Sequence, residues 1–245
     1  VIFVEATLPT MADAYEMLGD ITGEKEQAGK LADYCRAEIA KADKNAAAID
    51  DSDKKSVYFG LGDDGLHTNA KGSIHADVIE RIGAVNAADV EAVSSGGGSE
   101  VSFEQVLLWN PDLIIVDSTD PFGPSESYFT KEFYGICYNA LHEDGILVNQ
   151  QGSPFYQHDA EAMQRSHQRI VSTFPISRVY QAHIPTYAAG YWLFGFASKK
   201  YHPLDDLDAE KWQALNLKTN YYTTRLHKGA FYLPAFLERL LEEVE

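Results

Sequence analysis

Apolar residues recur every three or four positions between Glu24 and Ile49, where Ala28, Leu31, Cys35, Ile39, Ala42, Ala46 and Ile49 fall on one stripe. That spacing predicts a helix of roughly seven turns, the longest element of the chain. Ahead of it, the β-branched run over residues 1–6 predicts a strand. Asp50-Asp51-Ser52-Asp53 breaks the helical pattern, and residues 56–59 predict the next strand, which runs into Gly60-Leu61-Gly62-Asp63-Asp64-Gly65. Residues 73–82 read as a helix closed by Gly83. Ser102, with Gln105 three positions on, gives the capping box of a helix reaching Trp109, and Pro111 resets the chain for a strand over 113–117. Beyond it the pattern predicts helices over 131–142 and 159–174 and strands over 146–149, 179–184 and 191–197. Strands alternating with helices predict an α/β fold with a doubly wound, mostly parallel sheet. The last two strands lie too close together for a helical crossover, so they should form an antiparallel pair near the C-terminal edge.

Composition supports folding without deciding function. The 245 residues are 45% hydrophobic and 23% charged, as in ordinary globular proteins. A net charge of −17 disfavours nucleic acid and anionic membrane surfaces as partners and mildly favours cationic ligands. Cys35 and Cys137 each sit in a helical pattern and are expected in the core. There is no apolar run of about 18 residues to span a bilayer, and no basic, apolar, small-residue leader. The expectation is a soluble chain, cytoplasmic if recombinant; it does not begin with methionine, so compartment is left open.

Three stretches behind the long helix carry a family resemblance: Tyr58-Phe59-Gly60-Leu61-Gly62-Asp63-Asp64-Gly65-Leu66-His67, Gly72-Ser73-Ile74-His75, and Ser102 through Asp112. Residues 1–116 resemble the rear portion of class III solute-binding proteins of ABC transporters, the iron-siderophore and cobalamin type of periplasmic binding protein. The resemblance implies a ligand gripped between two lobes, yet most of the first lobe and the end of the second have no recognisable counterpart. A site that normally buries its ligand between two walls should lose most of its affinity with one wall gone.

From Ile115 the resemblance changes. Asp117-Ser118-Thr119-Asp120-Pro121, Gly123-Pro124, Glu126 and Phe129 through Tyr134 come first. Asp144 through Val148, Gln150, Ser153-Pro154-Phe155, Ile184-Pro185-Thr186-Tyr187, His227, Ala230-Phe231 and Leu233-Pro234 follow in order. This run over 117–245 resembles the C-terminal half of spermidine synthase, a polyamine aminopropyltransferase with a Rossmann-like sheet. Aminopropyl transfer needs a neutral amine to attack the methylene beside a sulfonium, so a carboxylate must hold the cationic amine and take its proton. The resemblance makes Asp117 the proton acceptor, Asp120 its amine-binding companion and Tyr187 the assisting tyrosine, with Gln150 and Glu126 binding substrate. By itself, Asp-Ser-Thr-Asp-Pro would read as a turn at a strand end. Two departures stand out: Gly152 occupies the place of the family's acidic residue after the glutamine, and the N-terminal β-domain and nucleotide-binding half are not recognisable.

Gly60, Gly62 and Gly65 fit a Gly-x-Gly-x-x-Gly pattern after a strand, with Asp63 inside it and Asp89 beyond it, so they are candidate cofactor-binding residues. Such a turn should lead straight into a helix, whereas residues 66–72 intervene, and the solute-binding resemblance already accounts for the loop. Asp63, Asp64, His67 and His75 match no tight metal-ligand spacing, so no metal and no resident cofactor are expected. Taken together, the two resemblances imply a recombined, engineered chimera folding as one continuous α/β unit, joined near Asp117 in a strand both families share. It would hold no complete inherited active site. The alternatives are an aminopropyltransferase using putrescine and decarboxylated S-adenosylmethionine, or a weak metal-chelate or polyamine binding module. A polyamine or other small cation is the expected partner.

Overall fold

A computed structural model of the chain describes residues 3–4, 7–62, 65–91, 98–117 and 130–244. The first elements are α1 (Met11–Thr22), α2 (Lys25–Ala46), β1 (Ser56–Gly60), β2 (His67–Thr68), α3 (Ile74–Arg81), β3 (Val85–Asn86) and β4 (Ser99–Glu100). They are followed by α4 (Phe103–Trp109), β5 (Leu113–Val116), α5 (Lys131–Ala140), β6 (Ile146–Gly152), α6 (Gln157–Val171), β7 (Ile176–His183) and β8 (Tyr191–Ser198). The last are α7 (Ala209–Ala214), α8 (Thr224–Ala230) and α9 (Ala235–Glu242). Two compact units divide the chain, Val1–Val57 with Asn69–Ser99 and Tyr58–Thr68 with Glu100–Glu245, so the division passes through β1.

In the first unit, α1 and α2 form a helical hairpin. Gly23 ends α1 in the left-handed conformation, at φ 83°, which costs glycine no Cβ clash. Gly19 then sits against Ala28 so closely that a Cβ on it would stand 2.3 Å from that of Ala28. The crossing is therefore built from small residues, and α2 buries Ala28 and Ala32. Leu31, expected on the buried stripe, is exposed, because a leucine does not fit so close an approach. Arg36 ties the hairpin together through Glu16 at 2.7 Å and Asp13 at 3.2 Å, and Cys35 is only half-buried. The strand expected at the start of the chain is not formed at Phe3 and Val4, the two described residues there. An extended segment without a paired neighbour has no ladder to hold it. Within this unit β3 runs parallel to the first two residues of β1.

The second unit holds the sheet in the order β1-β5-β6-β8-β7. β5 and β6 are parallel, Leu113 opposite Ile146, whereas β6–β8 and β8–β7 are antiparallel, giving the expected mixed α/β sheet with its antiparallel strands toward the C-terminal edge. Ser102 and Gln105 form the capping box of α4: the Gln105 amide donates to the Ser102 hydroxyl at 3.3 Å and the Ser102 amide to the Gln105 side chain at 2.8 Å. One sheet face is buried: Met163 of α6, Val179 of β7, Leu193 of β8 and Leu237 and Leu241 of α9 make one apolar cluster. The other face carries Val148, Gln150, Tyr180, Phe194 and Phe196, all half-buried, and Phe231 just past α8 packs on Tyr180 and Phe196 with ring centroids 5.3 and 6.0 Å apart. This second face is where the candidate site lies.

Candidate functional site

Each of the three described residues expected at the site reaches it from a different element. β5 ends at Val116 and delivers Asp117, whose N–H donates to the Gly60 carbonyl at 3.2 Å. β6 delivers Gln150 opposite Phe194 of β8. Tyr187 sits in the β7–β8 turn, which is closed by three backbone bonds: Ile184 N–H to Gly190 O at 2.9 Å, Tyr187 N–H to Ile184 O at 3.1 Å, and Gly190 N–H to Tyr187 O at 3.1 Å. Positive φ values at Ala189 and Gly190 complete the reversal. Asp120 and Glu126 lie outside the described residues, as does Asp63.

Asp117, Gln150 and Tyr187 line one cavity of about 340 Å³. Trp192 links two of them: its ring stacks on Tyr187 with centroids 4.8 Å apart, and its Nε1–H donates to the Gln150 side-chain oxygen at 3.0 Å. Ile115, Val148, Ile184 and Phe194 supply the apolar wall. Tyr180 also lines it, and burial pushes its phenol up to about 12, so it stays neutral. A carboxylate at the mouth of an aromatic-lined cleft suits a ligand with a cationic end and an aliphatic body, since ring faces attract cations and methylenes alike. Trp192 and Tyr180 were not singled out from sequence; the signal available was their alternation with buried neighbours along β8 and β7.

The glycine-rich loop has local work of its own. It leads into β2 and not into a helix, with Leu61 and His67 bonded backbone to backbone in both directions at 2.7 and 3.2 Å. The Tyr58 hydroxyl donates to the Gly65 carbonyl at 2.7 Å. A Cβ on Gly60 would meet that carbonyl at 2.8 Å, one on Gly62 the His67 ring at 2.6 Å, and one on Gly65 the Phe133 ring at 2.8 Å. These contacts account for all three glycines. Gly152, where the second resemblance calls for an acidic residue, has φ 80° at the bulge of β6, a backbone that favours glycine.

A family model described as a periplasmic binding protein matches residues 4–134, and one described as a spermine/spermidine synthase domain matches residues 89–208. A solved spermidine synthase in complex with the transition-state analogue AdoDATO superposes at TM-score 0.57 and 30% identity, over 78% of this chain and 70% of that one. The chain belongs to both families. Spermidine synthase from Thermotoga maritima gives TM-score 0.56 at 27% identity, over 82% of this chain and 72% of that one. A polyamine aminopropyltransferase of Clostridium beijerinckii is 66% identical over 130 residues, which are 53% of this chain and 46% of the relative. One from Agathobacter rectalis is 66% identical over 134 residues, 55% of this chain and 47% of the relative. The chain thus spans about half the length of the curated relatives it matches. The two family matches overlap over 89–134, which contains α4, β5 and the start of α5.

Proposed function

We propose that the chain is a recombined, engineered α/β chimera that keeps the amine end of an aminopropyltransferase site and does not turn over. The observation that carries this is the single cavity lined by Asp117, Gln150 and Tyr187 and braced by Trp192. In the spermidine-synthase resemblance these are the groups that receive the amine. A diamine would place one ammonium at Asp117 and lay its methylenes along Tyr187 and Trp192. The overlap of the two family matches supports a joint within a helix–strand–helix segment that satisfies both parents, so that the sheet pairing on either side is kept.

Transfer also needs the aminopropyl donor held in line with the amine, an advantage of about 7–11 kcal/mol. By resemblance the donor's seat belongs to the part of the relatives that this chain does not match. The glycine-rich loop is the candidate replacement offered by the sequence, and its three glycines already serve packing and turn geometry. The expected ligand is therefore putrescine or a similar small cation, bound in roughly the millimolar range and weakened by added salt. The experiment pairs an NMR titration of putrescine against the parent and Asp117→Asn with an assay for spermidine formation from putrescine and decarboxylated S-adenosylmethionine. The parent should bind, the variant should bind more weakly, and neither should form spermidine. Equal binding by both removes the amine site. Turnover that Asp117→Asn abolishes would establish the aminopropyltransferase alternative instead.

A further inference from the structure

At the other end of β5 and β6, away from the cavity, a second group of ionisable side chains converges. Asp112 precedes β5, and His142 and Asp144 sit in the turn between α5 and β6. One ligand atom from each lies within 4.8 Å of the other two. We infer that Asp112, His142 and Asp144 form a binding site for a divalent transition-metal cation of the zinc, cobalt or nickel class, distinct from the amine cavity.

Three features support it. The donor set is mixed, one imidazole nitrogen and two carboxylates, which suits borderline cations better than the all-oxygen sets of calcium and magnesium. With bonds of about 2.0–2.2 Å to a zinc-like ion, neighbouring donors stand roughly 3.3 Å apart, so the observed cluster closes on one ion through small side-chain rotations. The backbone beneath it is already fixed: His142 N–H donates to Pro111 O at 2.9 Å, Ile146 N–H to Asp112 O at 3.0 Å, and Gly145 N–H to His142 O at 2.9 Å. Such a scaffold holds the ligand-bearing segments together before any ion arrives, which lowers the ordering cost of binding.

The support around the cluster is that of a ligand site as well. The Tyr201 hydroxyl donates to Asp144 Oδ2 at 3.2 Å and so orients the carboxylate, whose Oδ1 is hydrogen-bonded to His142 Nδ1 at 2.7 Å, a bond that an incoming ion would replace with two bonds to itself. The nearby cation Lys199 is directed to the Leu141 carbonyl at 2.6 Å and lies over the Tyr138 ring. Half-exposure of the three ligands gives an ion a route in and leaves room for water in the remaining coordination positions. No ligand spacing within the sequence announces this site, because Asp112 joins His142 and Asp144 only through the pairing of β5 with β6.

The test is a titration of the full chain with cobalt(II), followed by visible absorption, and with zinc by calorimetry, in the parent, His142→Ala and Asp112→Asn. The chain has 8 histidines, so the variants separate this site from scattered surface binding. One equivalent should bind the parent, with affinity at least about tenfold weaker in either variant and weakened also in Tyr201→Phe. Zinc should raise the unfolding midpoint of the parent and not that of His142→Ala. Circular dichroism of His142→Ala before loading checks that its fold is kept. Equal affinity in the parent and both ligand variants, or no binding by the parent below millimolar metal, overturns the inference.

Discussion

Replacing Gly195 by alanine should destabilise the protein by about 2–3 kcal/mol, and the reason lies on the buried face of the sheet. Gly195 of β8 is paired with Asn149 of β6, and a Cβ added to it would stand 2.2 Å from Asn149 Oδ1 and 2.6 Å from Gln151 Nε2. Both side chains are buried, so neither can swing into water. Asn149 is also held: its Nδ2 donates to the Tyr134 hydroxyl and the Ser166 hydroxyl, each at 3.3 Å, and those two oxygens are bonded to each other at 2.7 Å. Forcing a methyl into a packed core costs about 1–3 kcal/mol, and each hydrogen bond loosened adds about 0.5–1.5 kcal/mol. The intrinsic gain from replacing glycine by alanine in a strand offsets about 0.5–1 kcal/mol of this. Urea unfolding at equilibrium should show the loss as a lower midpoint with an unchanged slope. A variant within about 0.5 kcal/mol of the parent would mean that β8 can yield enough to admit a methyl group, and the packing argument would fail.

Tyr134→Phe should cost about 1–2 kcal/mol in the same urea assay, because the Asn149 amide and the Ser166 hydroxyl lose a common partner inside the core; a neutral substitution would show that the Asn149–Ser166 bond alone satisfies both groups. Gly62→Ala should cost about 1–2 kcal/mol, since φ is 75° there and the His67 ring stands where the Cβ must go, and no loss on thermal unfolding would remove the structural account of the loop. Scanning calorimetry should give one cooperative transition, because β1 contributes residues to both compact units; two separated transitions would refute a single folding unit.

Much of the element order could be read from periodicity and punctuation. The capping box at Ser102, the helix over 73–82, and the closely spaced β7 and β8 all follow from local chemistry that no distant contact overrides. The departures have a common cause in partners that sequence does not display. Leu31 was placed on the buried stripe of α2 by spacing alone, yet the crossing with α1 is set by Gly19 and Ala28 and admits only small residues. The helix expected to reach residue 142 stops at Ala140, since Leu141 turns extended and His142 bonds back to Pro111. The family resemblance singles out Asp117, Gln150 and Tyr187, which line one cavity, whereas nothing in the sequence sets Trp192, which contacts two of them, apart from the other apolar residues of its strand.

The register of β5 against β6 is the structural choice on which both ends of the sheet depend. With Leu113 opposite Ile146 and Val116 opposite Asn149, Asp117 emerges beside Gln150 at the carboxyl ends, and Asp112 beside the turn that carries His142 and Asp144 at the amino ends. Side chains alternate faces along a strand, so a slip of one residue would turn Gln150 out of the cavity and bring buried Gln151 into it, and would carry Asp112 about 3.3 Å along the turn. The slip is prevented on the buried face, where Asn149 is bonded to Tyr134 and Ser166 and where Gly195 alone leaves room for the Asn149 and Gln151 side chains. A polar network that lines neither place thus holds the β5–β6 register, and loosening it with Tyr134→Phe should weaken the proposed amine and metal binding together in the putrescine and zinc titrations; a variant that keeps both affinities would show that the register does not depend on it.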